Sequence, residues 1–392
     1  MKRSIPKYIA RRLSMTELSS SRALLQLIYE SGTMSQLRAA KELSTSSGAA
    51  NLHFQKLEYL GLIRRAQIIK NIRGRSTIIW EINREQNFCL TLVFDTPFVL
   101  VSLVDFAGRV LLQRREDMTS TKDRDTLLAC IDEFIKQAEE CAVQHNGVIR
   151  QVFIGVPGIL APKTGAVINA ANFPLLNGVD FQALMTEKHN IPCYCGPLGL
   201  AFYCGEIEKL PPETRAMVFY WDLGVGVAAG VGERIISHGN DDLFLSEVGH
   251  VRICRDGKLC HCGRRGCLEA YTGGWAIIDS LQQDGIQTMK ELIDAVLSGH
   301  AGAVSAVKKA ARLLGEHLVW PIQVMQSERL IISGPLSVFF PVVKEDFIEG
   351  LRTMLREDEI KSIDPQASDD PLAAMQRGAS SLTRRRFFYS TK

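Results

Sequence analysis

One short stretch restricts the possible folds of this sequence more than any other. Three cysteines crowd into a glycine-rich loop, Cys260-His-Cys-Gly-Arg-Arg-Gly-Cys267, and His250 precedes them by ten residues. Three thiolates and one imidazole make a closed tetrahedral site, the usual form of structural zinc. We therefore predict a structural Zn²⁺ bound by His250, Cys260, Cys262 and Cys267, with His261 pointing away from it. The alternative is a group of unrelated free cysteines.

The other cysteines and the start of the chain indicate the compartment. The other cysteines lie mostly in apolar stretches, where a free thiol packs as a small apolar side chain, and Cys193 and Cys195 are expected on one face of a strand. No segment approaches the roughly 18 to 20 apolar residues of a membrane helix, and the first residues lack an apolar signal core. We expect a cytoplasmic protein with no membrane partner, in which clustered cysteines favour metal over disulfide.

Charge is distributed unevenly along the chain. The formal net charge is only +3, but residues 1–84 contain 15 Lys and Arg against 5 Glu and no Asp. The remainder of the chain is net acidic. The N-terminal segment is therefore suited to a polyanion such as DNA, although a solvated basic face would give the same count.

Three short helices are predicted within the basic segment. The first covers residues 22–32, the second begins at Ser35 as its N-cap, and the third follows Ser44 and runs to Leu60-Gly61. Three short helices with a tight connection between the second and third are typical of a helix-turn-helix. The side chains expected to face inward are Leu24, Leu25, Leu27, Ile28, Leu37, Ala40, Leu43, Ala50, Phe54, Leu57 and Leu60.

A basic hairpin follows these helices. Residues 62–69 and 77–82 read as two strands, and Arg73 and Arg75 flank Gly74 at the tip. Such a wing would reach phosphates or a minor groove, so we predict a winged helix-turn-helix that binds double-stranded operator DNA. Its predicted DNA contacts are Thr45, Ser46, Ser47, Asn51, Arg73 and Arg75, with an amino-terminal arm carrying Lys2, Arg3, Lys7, Arg11 and Arg12. The alternative is a three-helix packing module with a solvated hairpin.

The pattern changes at Cys89 to strands that alternate with helices. Strands are predicted over 90–94, 100–105 and 151–155, with an amphipathic helix over 125–145. A second set has strands over 216–221, 225–231 and 329–333, with helices after Gly273. Alternating strands and helices predict an α/β fold, here with two lobes built on one plan.

Several motifs in this region resemble those of the ROK family (repressor, open reading frame, kinase), which includes sugar kinases and sugar-responsive repressors. The most specific is Glu247-Val-Gly-His250 followed by Cys-x-Cys-Gly-x-x-Gly-Cys-Leu-Glu269, and further matches are Gly155-Val-Pro-Gly158, Ala171-Asn172-Phe-Pro and Gly378-Ala379. The resemblance extends over essentially the full chain and includes the winged helix of the repressor branch. It implies a two-lobed actin-like, sugar-kinase-like (ribonuclease H-like) domain with a structural zinc loop.

The resemblance also implies an effector site. The family positions that match Asn172, Glu247, His250 and Glu269 contact sugar hydroxyls, and the histidine also ligates zinc. Carboxylates and amides suit vicinal hydroxyls in a cleft. The alternative is that Glu247 and Glu269 only cap helices near the zinc loop.

Kinase chemistry looks lost at three places. The family's catalytic base follows a strand, where this chain reads Cys195-Gly-Pro-Leu198, and a leucine accepts no proton. The two phosphate-binding turns of the family match Asp95-Thr-Pro-Phe-Val99 and Asp222-Leu-Gly-Val-Gly226. Proline removes a donor, phenylalanine fills the space left for phosphate and Asp222 repels it.

We therefore predict a transcriptional regulator, a repressor, that is not an enzyme and senses a sugar or sugar phosphate. It is expected to act as a homodimer or a dimer of dimers, because paired recognition helices need two half-sites. The alternatives are an active zinc-containing ROK sugar kinase that uses ATP and a scaffold whose cleft is filled by apolar side chains. The predicted domains are a winged helix over 1–84, a first lobe over 85–196 to which 362–392 return, and a second lobe over 197–361 with the zinc loop 250–267.

Overall fold

The computed structural model describes residues 21–69, 76–161, 164–232, 234–235 and 247–389. Its first part, here called the N-terminal unit, comprises the described residues from 21 to 84 and contains three helices and three strands. The helices and strands of this unit are α1 (Arg22–Ser31), β1 (Thr33–Ser35), α2 (Gln36–Glu42), α3 (Ser47–Tyr59), β2 (Ile63–Ile69) and β3 (Thr77–Ile82). Ten of the eleven apolar side chains expected inside are buried or half-buried, as in the cases of Phe54 and Leu57, which have no exposed surface.

Two details of the N-terminal unit differ from the prediction. Leu37 was expected inside but is 75% exposed, because the buried face of α2 consists of Ala39 and of Ala40, which was predicted to face inward. Helix α3 begins after Ser46 rather than Ser44, since the Ser46 hydroxyl accepts a hydrogen bond from the Ala49 amide at 3.2 Å. Ser44 adopts a positive φ of 51° and makes the turn that separates α2 from α3.

The predicted hairpin is present. Strands β2 and β3 pair antiparallel, with a register shift between Arg65 and Gln67, and β1 pairs with the other side of β3. The tip with Arg73 and Arg75, and the amino-terminal arm with Lys2, Arg3, Lys7, Arg11 and Arg12, lie outside the described residues.

The first lobe is built on a five-stranded sheet. Its strand order is β10-β7-β4-β5-β6, in which β10, β7 and β4 run parallel and β4-β5-β6 form an antiparallel meander. One face of the sheet is covered by the long helix α4, whose apolar side chains join the core of this lobe. The elements are β4 (Asn87–Asp95), β5 (Phe98–Asp105), β6 (Val110–Asp117), α4 (Arg124–Gln144), β7 (Val148–Val156), β8 (Ile159–Leu160), β9 (Val167–Asn169), α5 (Phe181–His189) and β10 (Cys193–Pro197).

The second lobe repeats this plan. The order of its sheet is β13-β12-β11-β14-β15, again with three parallel strands followed by an antiparallel meander. The predicted similarity of the two lobes is therefore present in their topology. The elements from the end of β10 onwards are α6 (Leu198–Glu206), β11 (Arg215–Trp221), β12 (Val225–Val231), β13 (Arg234–Ile235), α7 (Glu269–Thr272), α8 (Gly274–Ser280), α9 (Met289–Leu297), α10 (Ala301–Met325), β14 (Arg329–Ser333), α11 (Phe340–Leu351), α12 (Glu357–Ile363), β15 (Gln366–Ala367) and α13 (Pro371–Tyr389).

The return of the chain to the first lobe was expected at 362 and begins later. Strand β15 pairs with β14, so residues 366–367 still belong to the second sheet. The return is made by α13, which packs against α6 and reaches β4 and β7. A two-residue strand carries too little periodicity to be recognised in the sequence.

The N-terminal unit is docked on the first lobe through buried polar and aromatic contacts. The buried Arg150 guanidinium donates to the Leu60 carbonyl at 2.6 Å and to Asn87 Oδ1 at 2.5 Å, and burial lowers the pKa of Arg150 to about 9. At the end of α13 the Phe388 ring stacks on Tyr29 of α1 with centroids 4.0 Å apart. In the described part of the chain, no helix is long and apolar enough to cross a membrane.

Candidate functional site

The four side chains predicted to bind metal meet at one point. The ligand atoms of His250, Cys260, Cys262 and Cys267 all lie within 4.8 Å of one another. His250 Nδ1 is 3.7 Å from Cys260 Sγ, and the sulfurs of Cys262 and Cys267 are 3.8 Å apart. This arrangement can hold a metal ion.

The backbone of the loop brings these side chains together. Bridges join Arg252 to Cys267 and Leu259 to Arg265, which fold the segment back on itself. Gly266 has a φ of +76°, and a Cβ there would lie 1.6 Å from the Cys254 carbonyl oxygen. The turn before Cys267 therefore requires glycine. Cys254 lies on the exposed side of the loop and is not one of the four clustered residues.

His250 connects the metal cluster to a cleft between the lobes. Its Nδ1 faces the sulfurs, while Nε2 lies 3.8 Å from Glu247 Oε2. A carboxylate beside the second ring nitrogen is the usual way in which a ligating histidine is oriented. Burial also lowers the pKa of His250, which favours the neutral ring that a metal ligand needs.

The cleft brings together all four residues predicted to contact an effector. Asn172, Glu247, His250 and Glu269 line one cavity of about 60 Å³, together with Leu198 at the start of α6. Four of the other lining side chains, those of Thr96, Asn169, Tyr220 and Asp222, are also polar, so the cleft is not lined by apolar side chains alone. The further lining residues are Thr96, Pro157, Gly158, Ile159, Asn169, Ala171, Pro197, Tyr220, Asp222, Leu223, Gly224 and Val225.

A hydrogen-bond network crosses this cleft. Asn172, which follows β9 in the first lobe, accepts a hydrogen bond from His261 Nδ1 through its Oδ1 at 2.9 Å and also bonds Glu269. The His261 ring stacks on Trp275 at a centroid distance of 3.8 Å, and Trp275 Nε1 donates to Glu269 Oε1 at 3.2 Å. His261 therefore points away from the metal cluster, as predicted, and into the cleft, which was not predicted.

Glu269 does not act as a helix cap. Its Oε2 accepts the backbone amide of Val225 at 3.2 Å, and with 4% of its surface exposed it has a pKa raised by burial. Glu247 precedes the short helix Val248–His250 but makes no capping hydrogen bond to it. A Cβ on Gly224 would lie 2.7 Å from Glu269 Oε2, so glycine at this turn leaves room for the carboxylate.

The two turns that match the family's phosphate-binding turns lie opposite each other, and their acidic side chains are in contact. Asp95 ends β4 and Asp222 follows β11, and their carboxyl groups share a hydrogen bond. Burial raises the pKa of both groups, and the negative charge of Asp95 raises the pKa of Asp222 further. Leu198 is 2% exposed and offers no proton acceptor to the cleft.

The residues predicted to read DNA lie at the start of α3. Ser46 and Ser47 are exposed and Thr45 is half-buried. Asn51 Oδ1 accepts a hydrogen bond from Gln36 Nε2 of α2 at 2.7 Å, a contact that sequence reasoning missed. The exposed face of α3 also carries Leu52, which is 66% exposed.

The comparison of the sequence with protein-family models decides the family. The model described as the ROK family matches residues 98–386, which is most of the chain. The chain belongs to the ROK family. The matched range covers nearly all of both lobes and excludes the N-terminal unit.

Relatives within the ROK family include regulators and kinases. The xylose repressor of Caldicellulosiruptor bescii is 24% identical over 356 residues, which are 85% of this chain and 86% of the repressor. A crystal structure of a ROK family transcriptional regulator, a homolog of the E. coli MLC protein, superposes with a TM-score of 0.73 at 18% identity, covering 96% of this chain and 97% of that one. A ROK family glucokinase from Streptomyces griseus, in complex with glucose and AMPPNP, gives 0.63 at 20% identity, covering 76% and 99%.

These coverages distinguish the two kinds of ROK structure. The superposition with the glucokinase includes almost all of the glucokinase but only 76% of this chain. The superposition with the regulator includes 96% of this chain. The α/β kinase-like fold is thus common to all three, and the regulator shares the greater part of the chain.

Proposed function

We propose that this chain is a cytoplasmic DNA-binding transcriptional regulator, a repressor, whose kinase-like cleft senses a sugar or sugar derivative. One observation carries the proposal: the same chain contains two functional parts. The first is a basic unit of three helices and a hairpin, and the second is a cleft with polar side chains that lacks the catalytic carboxylate of the kinases. The fold, which matches that of a ROK transcriptional regulator over nearly the whole chain, and the similarity to a xylose repressor support it.

The N-terminal unit has the geometry of a winged helix-turn-helix. Helices α2 and α3 are joined by a short turn, and side chains at the start of α3 are free to enter a major groove. The hydrogen bond from Gln36 holds the Asn51 amide through its Oδ1, which leaves the Nδ2 group to donate to an acceptor on a base edge. We assign Thr45, Ser46, Ser47 and Asn51 to base and groove contacts, and Arg73 and Arg75 to phosphates or the minor groove.

The cleft is the proposed effector site. A volume of about 60 Å³ holds a few water molecules, which is less than a sugar ring needs. A sugar bound by Asn172, Glu247, His250 and Glu269 would therefore have to separate the lobes and replace the bonds of Asn172 to His261 and Glu269. Such a change in lobe separation is the proposed signal to the operator-binding unit.

The cluster of one histidine and three cysteines fits zinc. With Zn–S and Zn–N distances near 2.3 and 2.0 Å, a tetrahedral ion requires edges of about 3.8 Å between sulfurs and about 3.6 Å between sulfur and nitrogen. The structure has 3.8 Å and 3.7 Å. We propose that Zn²⁺ is held here and keeps His250 and His261 in place at the cleft.

Phosphoryl transfer is not part of the proposed function. A ROK kinase needs a general base at the position of Leu198, and the removal of a base alone costs about 10² to 10⁴ in rate. Pro97, Phe98 and Asp222 occupy the turns that would hold ATP phosphates: proline lacks an amide donor, phenylalanine fills the space left for phosphate, and Asp222 repels it. A coupled assay with Mg-ATP and hexoses or N-acetylhexosamines should show no turnover, and rates near 1 to 100 per second, which are ordinary for kinases, would favour the alternative of an active ROK kinase.

The operator-binding proposal is tested with two charge-matched double variants of the full chain. Arg73→Ala with Arg75→Ala removes two positive charges from the hairpin tip, and Lys188→Ala with Lys361→Ala removes two exposed charges from α5 and α12. On operator fragments selected from genomic DNA, the hairpin variant should bind more weakly and its salt slope should fall by about 2. The lysine variant should match the unmodified protein.

The same binding assay also tests the effector and the assembly. A sugar chosen from a thermal-shift screen should change the operator affinity, and the bound stoichiometry should be two chains per palindromic site, as for a homodimer or a dimer of dimers. Equal losses in both double variants, or no selection of any fragment, would contradict the proposed function.

A further inference from the structure

Helix α3 exposes a leucine on the side that faces away from the core. The helix buries Ala50, Phe54 and Leu57, which lie along one stripe. Each residue of an α-helix advances about 100° around the axis, so Leu52 lies nearly opposite this stripe, and 66% of its surface is exposed. Single exposed leucines are common on protein surfaces, so the surroundings of Leu52 decide its role.

Gly48 lies one turn before Leu52 on the same side of α3. It is exposed, and its backbone is helical rather than left-handed. Beyond its chain neighbours and the helix backbone, a Cβ placed on Gly48 would meet only one described atom within 4 Å, Ser46 Oγ at 3.9 Å. An alanine would therefore fit, and alanine favours a helix more than glycine does. The packing of the described part of the unit gives no reason for glycine at this position.

A molecule that approaches α3 closely would give such a reason, because glycine has no side chain to hold it away. Leu52 directly follows Asn51, and Gly48 directly follows Ser47, both of which are assigned above to base and groove contacts. Side chains in the first part of a recognition helix reach base edges in the major groove. The two residues therefore lie where operator DNA is expected, in a unit whose basic charge suits it.

The chemistry of leucine specifies which base it can recognise. Its side chain neither donates nor accepts a hydrogen bond, so it cannot use the polar groups on base edges. The one apolar group that the base pairs present in the major groove is the C5 methyl of thymine. A leucine on the groove side of α3 therefore favours thymine over a base without that methyl.

We propose that Leu52 is a specificity-determining residue that packs on a thymine methyl in each half-site of the operator, and that Gly48 leaves room for the helix to come that close. This role rests on the proposed operator binding. It adds an apolar contact to the polar contacts assigned to the start of α3, and it predicts a thymine at a fixed position of each half-site.

Uracil is the probe for this contact, because it differs from thymine only by the missing methyl. On an operator fragment selected from genomic DNA, each thymine is replaced by uracil in turn, at the same position of both half-sites. The Kd of the full chain for each fragment is measured by fluorescence anisotropy. The loss of one buried methyl group per half-site should weaken binding about tenfold at one thymine position, and the other positions should tolerate uracil.

Leu52→Ala removes the side chain that would contact the methyl. It should bind the thymine operator about tenfold more weakly than the unmodified chain and should no longer distinguish thymine from uracil, since the two changes remove the same contact. Leu297→Ala is the matched control, because Leu297 is 56% exposed on α9 of the second lobe. It should retain both the affinity and the preference for thymine.

Gly48→Ala tests the close approach. The added methyl should weaken operator binding about tenfold or more, while the melting temperature stays the same or rises because alanine favours the helix. A purely structural role of Gly48 would not give a loss of binding without a loss of stability. The matched control is Gly302→Ala in α10, where the added Cβ would meet only side-chain atoms, and it should bind the operator as the unmodified chain does.

The proposed role of Leu52 is contradicted if no uracil substitution changes the Kd, if Leu52→Ala prefers thymine as strongly as the unmodified chain does, or if Gly48→Ala binds as tightly as Gly302→Ala. A changed number of chains per operator in Leu52→Ala would also contradict it, because Leu52 would then contact another chain instead of DNA. These results require a bound operator. They therefore differ from a failure to select any fragment, which would contradict the proposed function and the role of Leu52 with it.

Discussion

At the scale of single residues, two cysteines of the same loop have different surroundings. Cys262 belongs to the cluster with His250, Cys260 and Cys267, while Cys254, eight residues earlier, is exposed and outside it. The four clustered ligands are close in sequence, which is why their spacing alone predicted them. The proposed zinc ion would hold a loop that has few apolar contacts of its own.

We predict that Cys262→Ser loses most of the bound zinc and lowers the melting temperature, because removal of one thiolate opens a tetrahedral site and metal binding is coupled to local folding. Cys254→Ser is the matched control and should retain one zinc per chain. Metal analysis and thermal unfolding provide the measurements. Zinc retained in full by Cys262→Ser at unchanged stability would exclude the assignment.

Other residues of the site carried no recognisable signal in the sequence. His261 and Asn172 are 89 positions apart, and nothing local to either indicates that they share a hydrogen bond. Asp95 and Asp222 likewise meet only because two similar hairpins face each other across the cleft. Contacts of this kind depend on how the lobes are placed, and periodicity reports only on the element itself.

At the scale of elements, the long periodic segments were predicted well. Helix α4 and strands β4, β7, β11 and β14 lie within a few residues of their expected bounds. The start of α3 was placed at Ser44 because three of the four residues from Ser44 to Ser47 are serines, each a good N-cap, and only the Ser46 hydroxyl makes the bond. Strand β6 was missed, although its burial alternates, because four of its eight residues are charged.

The close crossing of α6 and α13 leads to a prediction about packing. A Cβ on Gly378 would lie 1.9 Å from the Ala201 carbonyl oxygen and 2.4 Å from the Gly205 amide nitrogen. These neighbours are backbone atoms and cannot yield without separating the helices. We therefore expect Gly378→Ala to destabilise the protein by about 1 to 3 kcal/mol, in the range of overpacked cores.

Gly302→Ala in α10 is the matched control for that packing prediction. Its Cβ would have as its nearest neighbour the end of the Asp284 side chain at 3.2 Å, which can move. Alanine also favours the helix, so the melting temperature should stay the same or rise. Equal effects of Gly378→Ala and Gly302→Ala on the melting temperature would show that the crossing tolerates a methyl group.

At the scale of the whole molecule, α13 links the cleft region to the N-terminal unit. It packs on α6, whose first residue Leu198 lines the effector cleft, and at its other end the Arg22 guanidinium donates to the Phe387 carbonyl at 3.0 Å. The Phe106 ring lies against both Phe387 and Phe388. A change in lobe separation that moves α6 would therefore move α13 and the helix α1 on which it is docked.

The last prediction is that Phe388→Leu weakens the response of operator binding to the effector. The Phe388 ring stacks on Tyr29 at 4.0 Å, and an aromatic pair contributes about 0.5 to 1.5 kcal/mol beyond its burial. The effector response is the ratio of the operator affinities without and with sugar. If this contact transmits the change, its loss should make that ratio about two- to tenfold smaller. The affinity for the sugar without DNA should stay nearly the same, because the ring is remote from the cleft.

Phe347→Leu is the matched control for the coupling. Phe347 is a buried phenylalanine of α11 that packs on Phe340 in the second lobe, far along the chain from the docking contacts of α1. Both substitutions remove a buried ring and should lower the melting temperature, but only Phe388→Leu should change the effector response in a fluorescence-anisotropy titration of operator DNA. A full response in Phe388→Leu would mean that the signal reaches the N-terminal unit through another contact. The hydrogen bond from the buried Arg150 to the Leu60 carbonyl is one such contact.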